Sequence, residues 1–297
     1  MRFTLHARQP FSLYSTVRSH GWAQMEPFQF DEESTTLSYI TRVNSGRVVE
    51  LRVRDASGGV GVSVNGKISR EERGELKSKV KWMLGLDQDF SDFYKLARSE
   101  PKLRATEEKA QGRLLRSSTF FEDVVKTILT TNTLWAATKR MNANVIEQFG
   151  SPLPDDPTRH AFPSAIQLAK TNEKTLREKT RLGYRAPYIL ELARRTASGD
   201  LDIEGFKELD LPTLDLRKKL LAIKGIGSYA AAHLLLFLER YDFIAVDSWA
   251  LKLGSYEWPD RKDFSKNDLE DVFSEWGEWK GLAYWFWDWS YFHRNDQ

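Results

Sequence analysis

LLAIKGIG, residues Leu220–Gly227, runs into SYAAAHLLLFLE and then, with its aspartate about twenty residues past the second glycine, into AVDSW, residues Ala245–Trp249. The preceding stretch LDLRKKLLAI reads as a helix that stops at a tight Gly-x-Gly turn, and a second helix starts at once. Glycines let the backbone turn sharply and approach another molecule closely. Ser228 is expected as the N-cap of the second helix. The N–H groups of the turn and helix start then form an anion site. A strand–loop–helix would make a similar cradle, but neither GxGxxG nor GxxxxGK[ST] is present. The reading is therefore two helices joined by a hairpin, with phosphate as the anion.

The bulk numbers narrow the classes. A chain of 297 residues suits two or three modest domains, and 41% hydrophobic content with ten tryptophans is enough for a packed core. The formal net charge is only +2, so a local basic surface must carry any claim on nucleic acid. With no cysteine, disulfides, thiolate zinc sites, a cysteine nucleophile and a four-cysteine iron–sulfur cluster are excluded. Five scattered histidines without HExxH form no metal-ligand cluster. No apolar run reaches membrane-spanning length, and MRFTLHARQ lacks a signal-peptide core. A soluble intracellular protein with no membrane partner is the expectation.

Residues from Arg2 to about Lys67 read as antiparallel strands. Phe3, Leu5 and Ala7 alternate, as do Leu37, Tyr39, Thr41 and Val43, then Val49, Leu51 and Val53, then Val60, Val62 and Val64. Asn44-Ser45-Gly46 and Ser57-Gly58-Gly59 are hairpin signals. Ser69 with Glu72 forms a capping box ahead of a helix carrying Leu76, Val80 and Met83. The acidic stretch Asp87-Gln88-Asp89 marks a link between domains. From Phe90 onward the pattern is helical, with Pro152, Pro154 and Pro157 breaking the chain near the middle. The expected fold is α+β. An N-terminal antiparallel β domain with helices spans 1–90, and a mostly helical body in two subdomains spans 91–297. In that body the hairpin falls at 213–238, an aromatic C-terminal helix at 282–292, and the active cleft between the subdomains.

Lys224-Gly225-Ile226-Gly227 followed by Val246-Asp247 resembles the helix–hairpin–helix, Gly/Pro-rich loop and aspartate of the HhH-GPD superfamily of base-excision DNA glycosylases. Gly112-Arg113-Leu114-Leu115-Arg116, Phe121-Glu122 and Ile128-Leu129-Thr130-Thr131-Asn132 resemble the helix pair before the DNA-probing loop. Leu182-Gly183-Tyr184-Arg185-Ala186 is similar to the LGYRA run of 8-oxoguanine DNA glycosylases. Residues from Arg2 to Leu96 resemble the small β domain that those enzymes share with bacterial 3-methyladenine DNA glycosylase II.

The resemblance gives Asp247 its expected role. Cleaving a base from deoxyribose builds positive charge at the sugar, and a fixed carboxylate in a poorly solvated site stabilises it and orients water. Phe243, Ile244, Ala245 and Val246 supply an apolar wall. Asp247 also reads as a helix N-cap, and the two roles are compatible. Members with lyase activity carry a lysine two residues after the second glycine. Here Tyr229 stands there, so the amine that would form a Schiff base is missing. Lys224 lies on the other side of the turn and reads as phosphate-facing or solvated.

Asn132, Thr133, Leu134 and Trp135 follow the apolar run DVVKTIL. An enzyme that removes a base from the stack must fill the hole, and Asn132, Thr133 and Leu134 form the expected wedge. Leu134 and Trp135 read equally well as core. Seven of the ten tryptophans lie from Trp249 onward. At helical spacing, Leu282, Trp285, Phe286 and Trp289 make a core stripe, while Tyr284, Trp287, Asp288 and Tyr291 set a carboxylate among rings. The resemblance places this helix along the base pocket. Tyr229, His233, Tyr284, Trp287 and Asp288 are the pocket candidates. His233 also reads as a core residue, and Asp288 as a partner of Arg294. Lys224, Gly225, Gly227, Ser228 and Arg185 are the candidates for the DNA backbone, with Arg217, Lys218, Lys219, Lys139, Arg140 and Arg181 as further cations.

The function expected is that of a monofunctional base-excision-repair glycosylase. It flips a damaged base, an alkylated purine first, out of double-stranded DNA and hydrolyses its N-glycosidic bond. An 8-oxoguanine-type glycosylase is the alternative, favoured by LGYRA and disfavoured by Tyr229. A non-catalytic hairpin DNA-binding protein is the second, disfavoured by Asp247, which a phosphate clamp does not need. No organic cofactor or side-chain metal site is expected. The resemblance implies a Na+ or K+ ion at the backbone of Ile223 and Ile226. A monomer associated with DNA inside the cell, in the nucleoid or the nucleus, completes the reading.

Overall fold

A computed structural model describes residues 1–289. The chain forms two compact units. The first joins Met1–Gln88 to Arg113–Leu209, and the second joins Asp89–Gly112 to the residues from Asp210 onward. The first crossing falls between Gln88 and Asp89, inside the acidic stretch.

In the first unit β1 (Arg2–His6), β2 (Phe28–Asp31), β3 (Thr36–Arg42), β4 (Val48–Ala56) and β5 (Gly59–Val64) form one antiparallel sheet in the order β1-β5-β4-β3-β2. The period-two pattern explains it, because Leu37, Tyr39, Leu51, Val53, Val60 and Val62 are all buried. Register sets Tyr39 opposite Leu51 and Val53 opposite Val62. Gly46 and Gly58, at φ +88° and +69°, close the two hairpins. β2 escapes the sequence pattern, since FQFD is short and buries only Phe28 fully. Ser69 caps the helix Arg70–Leu84, accepting from Glu72 N–H at 3.1 Å. The Glu72 carboxylate accepts in return from Ser69 N–H at 2.8 Å.

The chain break expected at Pro152, Pro154 and Pro157 holds strands, which the sequence reading does not assign there. β6 (Ser151–Leu153) and β7 (Asp156–Ala161) form a two-stranded antiparallel sheet. Both strands are edges, so Pro152 and Pro157 are tolerated. Gly112–Arg116 is likewise outside any helix.

The helix Phe120–Thr130 is the centre of this unit, and every residue from Phe120 to Leu129 is buried. Its N-terminal N–H groups are capped by Thr119 and by the Glu204 carboxylate, which accepts from Phe120 and Phe121 at 3.1 and 2.9 Å. Burial on all sides forces its polar side chains to pair. Lys126 Nζ lies 2.7 Å from Glu122, with both side chains essentially inaccessible. Tyr39 donates its hydroxyl to Glu122 at 2.6 Å. Asp123 accepts from Trp22 Nε1–H and Ser117 N–H, each at 2.9 Å, while burial pushes its carboxyl up to about 6.

The second unit contains the helices Ser91–Ala97, Thr213–Leu221, Ser228–Phe237, Ser248–Glu257, Lys266–Val272 and Lys280–Phe286. Its core surrounds Ser228–Phe237, of which Ala230–Phe237 are all buried. The C-terminal aromatic helix is shorter than its ring spacing implies. It ends at Phe286, and Trp287 is its C-cap at φ −53°, ψ 134°. The chain leaves the helix there because Trp287 and Trp289 pack against Trp258, at ring distances of 6.0 and 6.4 Å. Tyr291 and Arg294 lie outside the described residues. Among the described residues, no helix is long and apolar enough to cross a membrane.

The buried pair gives a stability prediction. Lys126→Met leaves the Glu122 charge uncompensated and is expected to cost about 3–5 kcal/mol in urea unfolding. Adding Glu122→Gln should restore much of that loss. Additive losses in the double variant would refute the pairing.

Candidate active site

The hairpin at 213–238 is two helices, Thr213–Leu221 and Ser228–Phe237, joined by a six-residue turn. Leu216, Leu220, Ile223 and Ile226 are buried and anchor the turn from below. Ile226 N–H donates to Ile223 O at 3.0 Å. The two glycines differ in kind. Gly225 sits at φ +91°, where a side chain is strained. Gly227 has φ −94°, ψ −175°, and a Cβ built there meets nothing within 4 Å. Gly227 rather than Ser228 is the N-cap of the second helix, a correction to the expected cap. Extended backbone at the cap suits glycine, and Ser228 takes the first helical position. Lys224, Gly227 and Ser228 are exposed. The N–H groups of this first turn have no acceptor within their own helix, and the helix dipole adds positive potential there.

Asp247 is the N-cap of Ser248–Glu257, and its Oδ1 accepts from Ala250 N–H at 2.7 Å. Ala250, Ile244 and Ala245 are buried, but Asp247 itself is exposed. That differs from the dry setting expected from its apolar neighbours, because a helix N-cap lies at the helix end while the apolar run turns inward.

Two phenols register the charge of Asp247. Burial, reinforced by Asp247, pushes the Tyr229 hydroxyl up to about 12. Burial, then the charge of Asp247, then Tyr229 raises Tyr284. Both phenols are therefore protonated donors at neutral pH. Asp247, Tyr229 and Tyr284 thus lie within electrostatic range of one another.

His233 is 4% exposed, enclosed by Phe237 and Trp285 at ring distances of 4.8 and 5.2 Å. Burial lowers its pKa to about 4, so it is neutral. Trp287 packs on Phe273 at 5.1 Å, and Tyr284 meets Phe273 edge-on at 5.8 Å. Trp258 and Phe273, which the sequence reading did not single out, are the centre of this ring cluster. The only signal for them was the tryptophan load of the last third. Asp288 does not share a helix face with Tyr284 and Trp287. It lies beyond the helix end, is exposed, and is tied through its backbone to Lys102, its N–H donating to Lys102 O at 3.1 Å.

The expected wedge lies in the first unit, between the helices Phe120–Thr130 and Trp135–Phe149. Asn132 is exposed at φ +46°, and Leu134 is 80% exposed. Trp135 is held by the protein, with its Nε1–H on Gln24 at 2.9 Å and its ring against Gly21. The two residues that read alike in sequence therefore separate. Arg185, read as a phosphate contact, is 6% exposed and donates to the Thr131 and Asn132 carbonyls.

The pattern of the HhH-GPD superfamily base excision DNA repair proteins matches residues 125–274. The chain belongs to that superfamily, and with it to the base excision repair DNA glycosylases as a class. It is 24% identical over 221 residues to a DNA-3-methyladenine glycosylase of Bacillus subtilis, covering 73% of this chain and 72% of that one. It is 26% identical over 224 residues to a probable N-glycosylase/DNA lyase of Methanothermobacter thermautotrophicus, covering 68% and 70%. The fold is that of the Clostridium acetobutylicum 8-oxoguanine glycosylase/lyase solved with DNA, at TM-score 0.72 and 23% identity over 97% of this chain and 93% of that one.

The glycines give a paired prediction. Gly225→Ala should lower stability by roughly 1–2 kcal/mol, because its φ requires glycine. Gly227→Ala should leave the melting temperature unchanged and weaken binding to damaged and undamaged duplex alike, since backbone contacts carry no lesion information. Melting curves with fluorescence anisotropy on both duplexes check this. Loss confined to lesion-bearing DNA would contradict a phosphate role for the turn.

Proposed function

We propose that the protein is a monofunctional glycosylase that removes alkylated purines from double-stranded DNA. One observation carries the reading: a carboxylate held by its own helix lies within electrostatic range of two protonated phenols, Tyr229 and Tyr284, and tyrosine stands at 229 where a lyase would place an amine. The hairpin turn Lys224–Ser228 holds a backbone phosphate through its N–H groups. Asn132, Thr133 and Leu134 fill the gap left by the flipped nucleotide. Tyr229, Tyr284 and Trp287 offer ring faces to the base, which favour a cationic alkylated purine, a good leaving group.

As the C1′–N bond breaks, the bonding pair leaves with the base and positive charge develops at the sugar. Asp247 stabilises that charge and takes a proton from the water whose oxygen bonds to C1′. The product is an abasic site with an intact strand. His233 packs against Tyr229 and Trp285, and the exposed Asp288 is the polar group that would meet the edge of the base. The carbonyls of Ile223 and Ile226 are oxygen donors of the type that holds Na+ or K+, and such an ion would stiffen the turn beside the phosphate. The protein acts as a monomer on DNA within the cell.

An 8-oxoguanine-type reading has support from Leu182–Ala186 and from the lyase in the archaeal relative's name. Tyr229 stands against its covalent route.

Duplexes carrying single 7-methylguanine, 1,N6-ethenoadenine, hypoxanthine or 8-oxoguanine, followed by alkali, test the reading. Cleavage of 7-methylguanine only after alkali is expected. A nick without alkali, or a borohydride-trapped enzyme–DNA adduct, overturns the monofunctional assignment. Asp247→Asn should lower kcat by roughly 10²–10³-fold. DNA affinity and melting temperature should hold, because asparagine also caps helices. Full turnover in this variant would remove Asp247 from the chemistry.

A further inference from the structure

The first unit holds a cavity of about 450 Å³ at the start of the helix Phe120–Thr130. The helix is 11 residues long, about 16 Å, and its far end is the one that runs on towards Asn132. β3 and its hairpin supply Ile40, Arg42 and Val43 to the wall, and the segment after β7 supplies Phe162, Pro163 and Ile166. Four charged residues line the cavity, and three are matched. Glu122 lies 2.7 Å from Lys126, Glu204 2.6 Å from Lys207, and Lys79 3.2 Å from Glu75. Arg42 is the exception, since among the described residues no carboxylate lies within ion-pair range of it. One arm of its guanidinium donates to Ser151 Oγ, while its Nε–H is buried with no acceptor in the protein. Thr196 Oγ1, also at the wall, is buried and equally without a protein partner.

We propose that this cavity binds a small monocarboxylate with an apolar body: the carboxylate accepts from Arg42 Nε–H, and the body lies against Phe162, Pro163 and Ile166. The inference goes beyond the glycosylase reading and does not depend on it. An enclosed donor that the fold leaves unspent lets a bound acceptor gain without breaking a protein contact. A planar guanidinium matches a carboxylate in shape and in charge. One unmatched positive charge calls for one negative charge, which a phosphate dianion exceeds. The wall around Arg42 is mostly apolar, and it favours a hydrocarbon or aromatic body over further polar groups. Ile166 keeps 59% of its surface exposed, apolar area that such a body would cover. The volume is of the size that holds a small molecule.

Octanoate, 4-phenylbutyrate and indole-3-acetate, each beside its neutral amide, test this in 1H–15N spectra. The reporter is the Arg42 Nε–H resonance, assigned by its loss in Arg42→Lys. At least one acid should shift that resonance to saturation and bind about tenfold or more tightly than its amide, the worth of a hydrogen bond to a charged group. Binding should persist under saturating undamaged duplex, because the hairpin Lys224–Ser228 belongs to the second unit. Arg42→Gln should weaken the acid about tenfold or more and leave the amide unchanged. Ala197→Trp narrows the cavity, keeps Arg42, and should block both. Should Arg42→Gln fail to fold, the acid–amide comparison on the wild type and the Ala197→Trp block still decide. An Arg42 resonance unmoved by all three acids would overturn the proposal and leave water as the partner of Nε–H. Equal affinity for acid and amide, or for acid and inorganic phosphate, would overturn it too. Displacement of the acid by duplex would assign it to the DNA surface and refute a separate site.

Discussion

A helix buried on every side can meet another molecule only at its ends. That constraint governs both units of this chain. Phe120–Leu129 and Ala230–Phe237 are buried without interruption, so neither helix has a solvent face to carry a function. What they carry instead is at their termini. The first runs out into the loop that exposes Asn132 and Leu134, and the second starts from the turn that exposes Lys224, Gly227 and Ser228. The polarity is consistent with this arrangement. The loop follows a helix C-terminus, where the dipole favours a cation, and Arg185 donates to the Thr131 and Asn132 carbonyls just beyond it. The hairpin precedes a helix N-terminus, whose N–H groups attract an anion. Each end thus advertises the sign of its partner before any side chain is considered.

The helices manage burial differently, and chemistry explains why. Ser228–Phe237 consists almost wholly of alanine, leucine and aromatic residues, so packing alone suffices. Phe120–Thr130 carries Glu122, Asp123 and Lys126 inward, and each has to find a partner. Tyr39, reaching from β3, donates to Glu122, which ties the sheet to the central helix. Buried charges in such a network add little net stability, but removing one member is costly. The result is a scaffold that tolerates little rearrangement behind the Asn132–Leu134 loop.

Much of this was legible in the sequence where a pattern has a single physical cause. Alternation in Val60, Val62 and Val64 arises only from a sheet with one buried face, and the expected strand is there. The hairpin was legible because a positive-φ glycine, a helix N-terminus and an apolar helix occur in that order. Where one pattern has two causes, it misled. Pro152 and Pro157 signal a chain break, but also occur on edge strands, and β6 and β7 are both edges. Leu282, Trp285, Phe286 and Trp289 suggest a long aromatic helix by spacing. The packing of Trp287 and Trp289 on Trp258 lets the chain leave the helix at Phe286. Leu134 and Trp135 were indistinguishable by type, and only Gln24 and Gly21, more than a hundred residues earlier, decide which is held inward. Arg185 was read as a surface cation because sequence shows charge and not the carbonyls that wait for it.

The position of Asp247 then follows from capping rather than from a dry cavity. Its Oδ1 is committed to Ala250 N–H, which ties the carboxylate to the start of its own helix. Such a group is oriented at no cost at the moment of reaction, the condition under which a charge stabilises a transition state best. Exposure would weaken it through solvent screening. DNA closing over the hairpin would displace that solvent, strengthening the carboxylate only when a duplex is bound. Tyr229 and Tyr284 complete this logic. Their hydroxyls stay protonated beside the carboxylate, so they supply donors without competing for its negative charge. A lysine at 229 would pair with Asp247 and partly neutralise it. Tyrosine brings no charge of its own to that carboxylate.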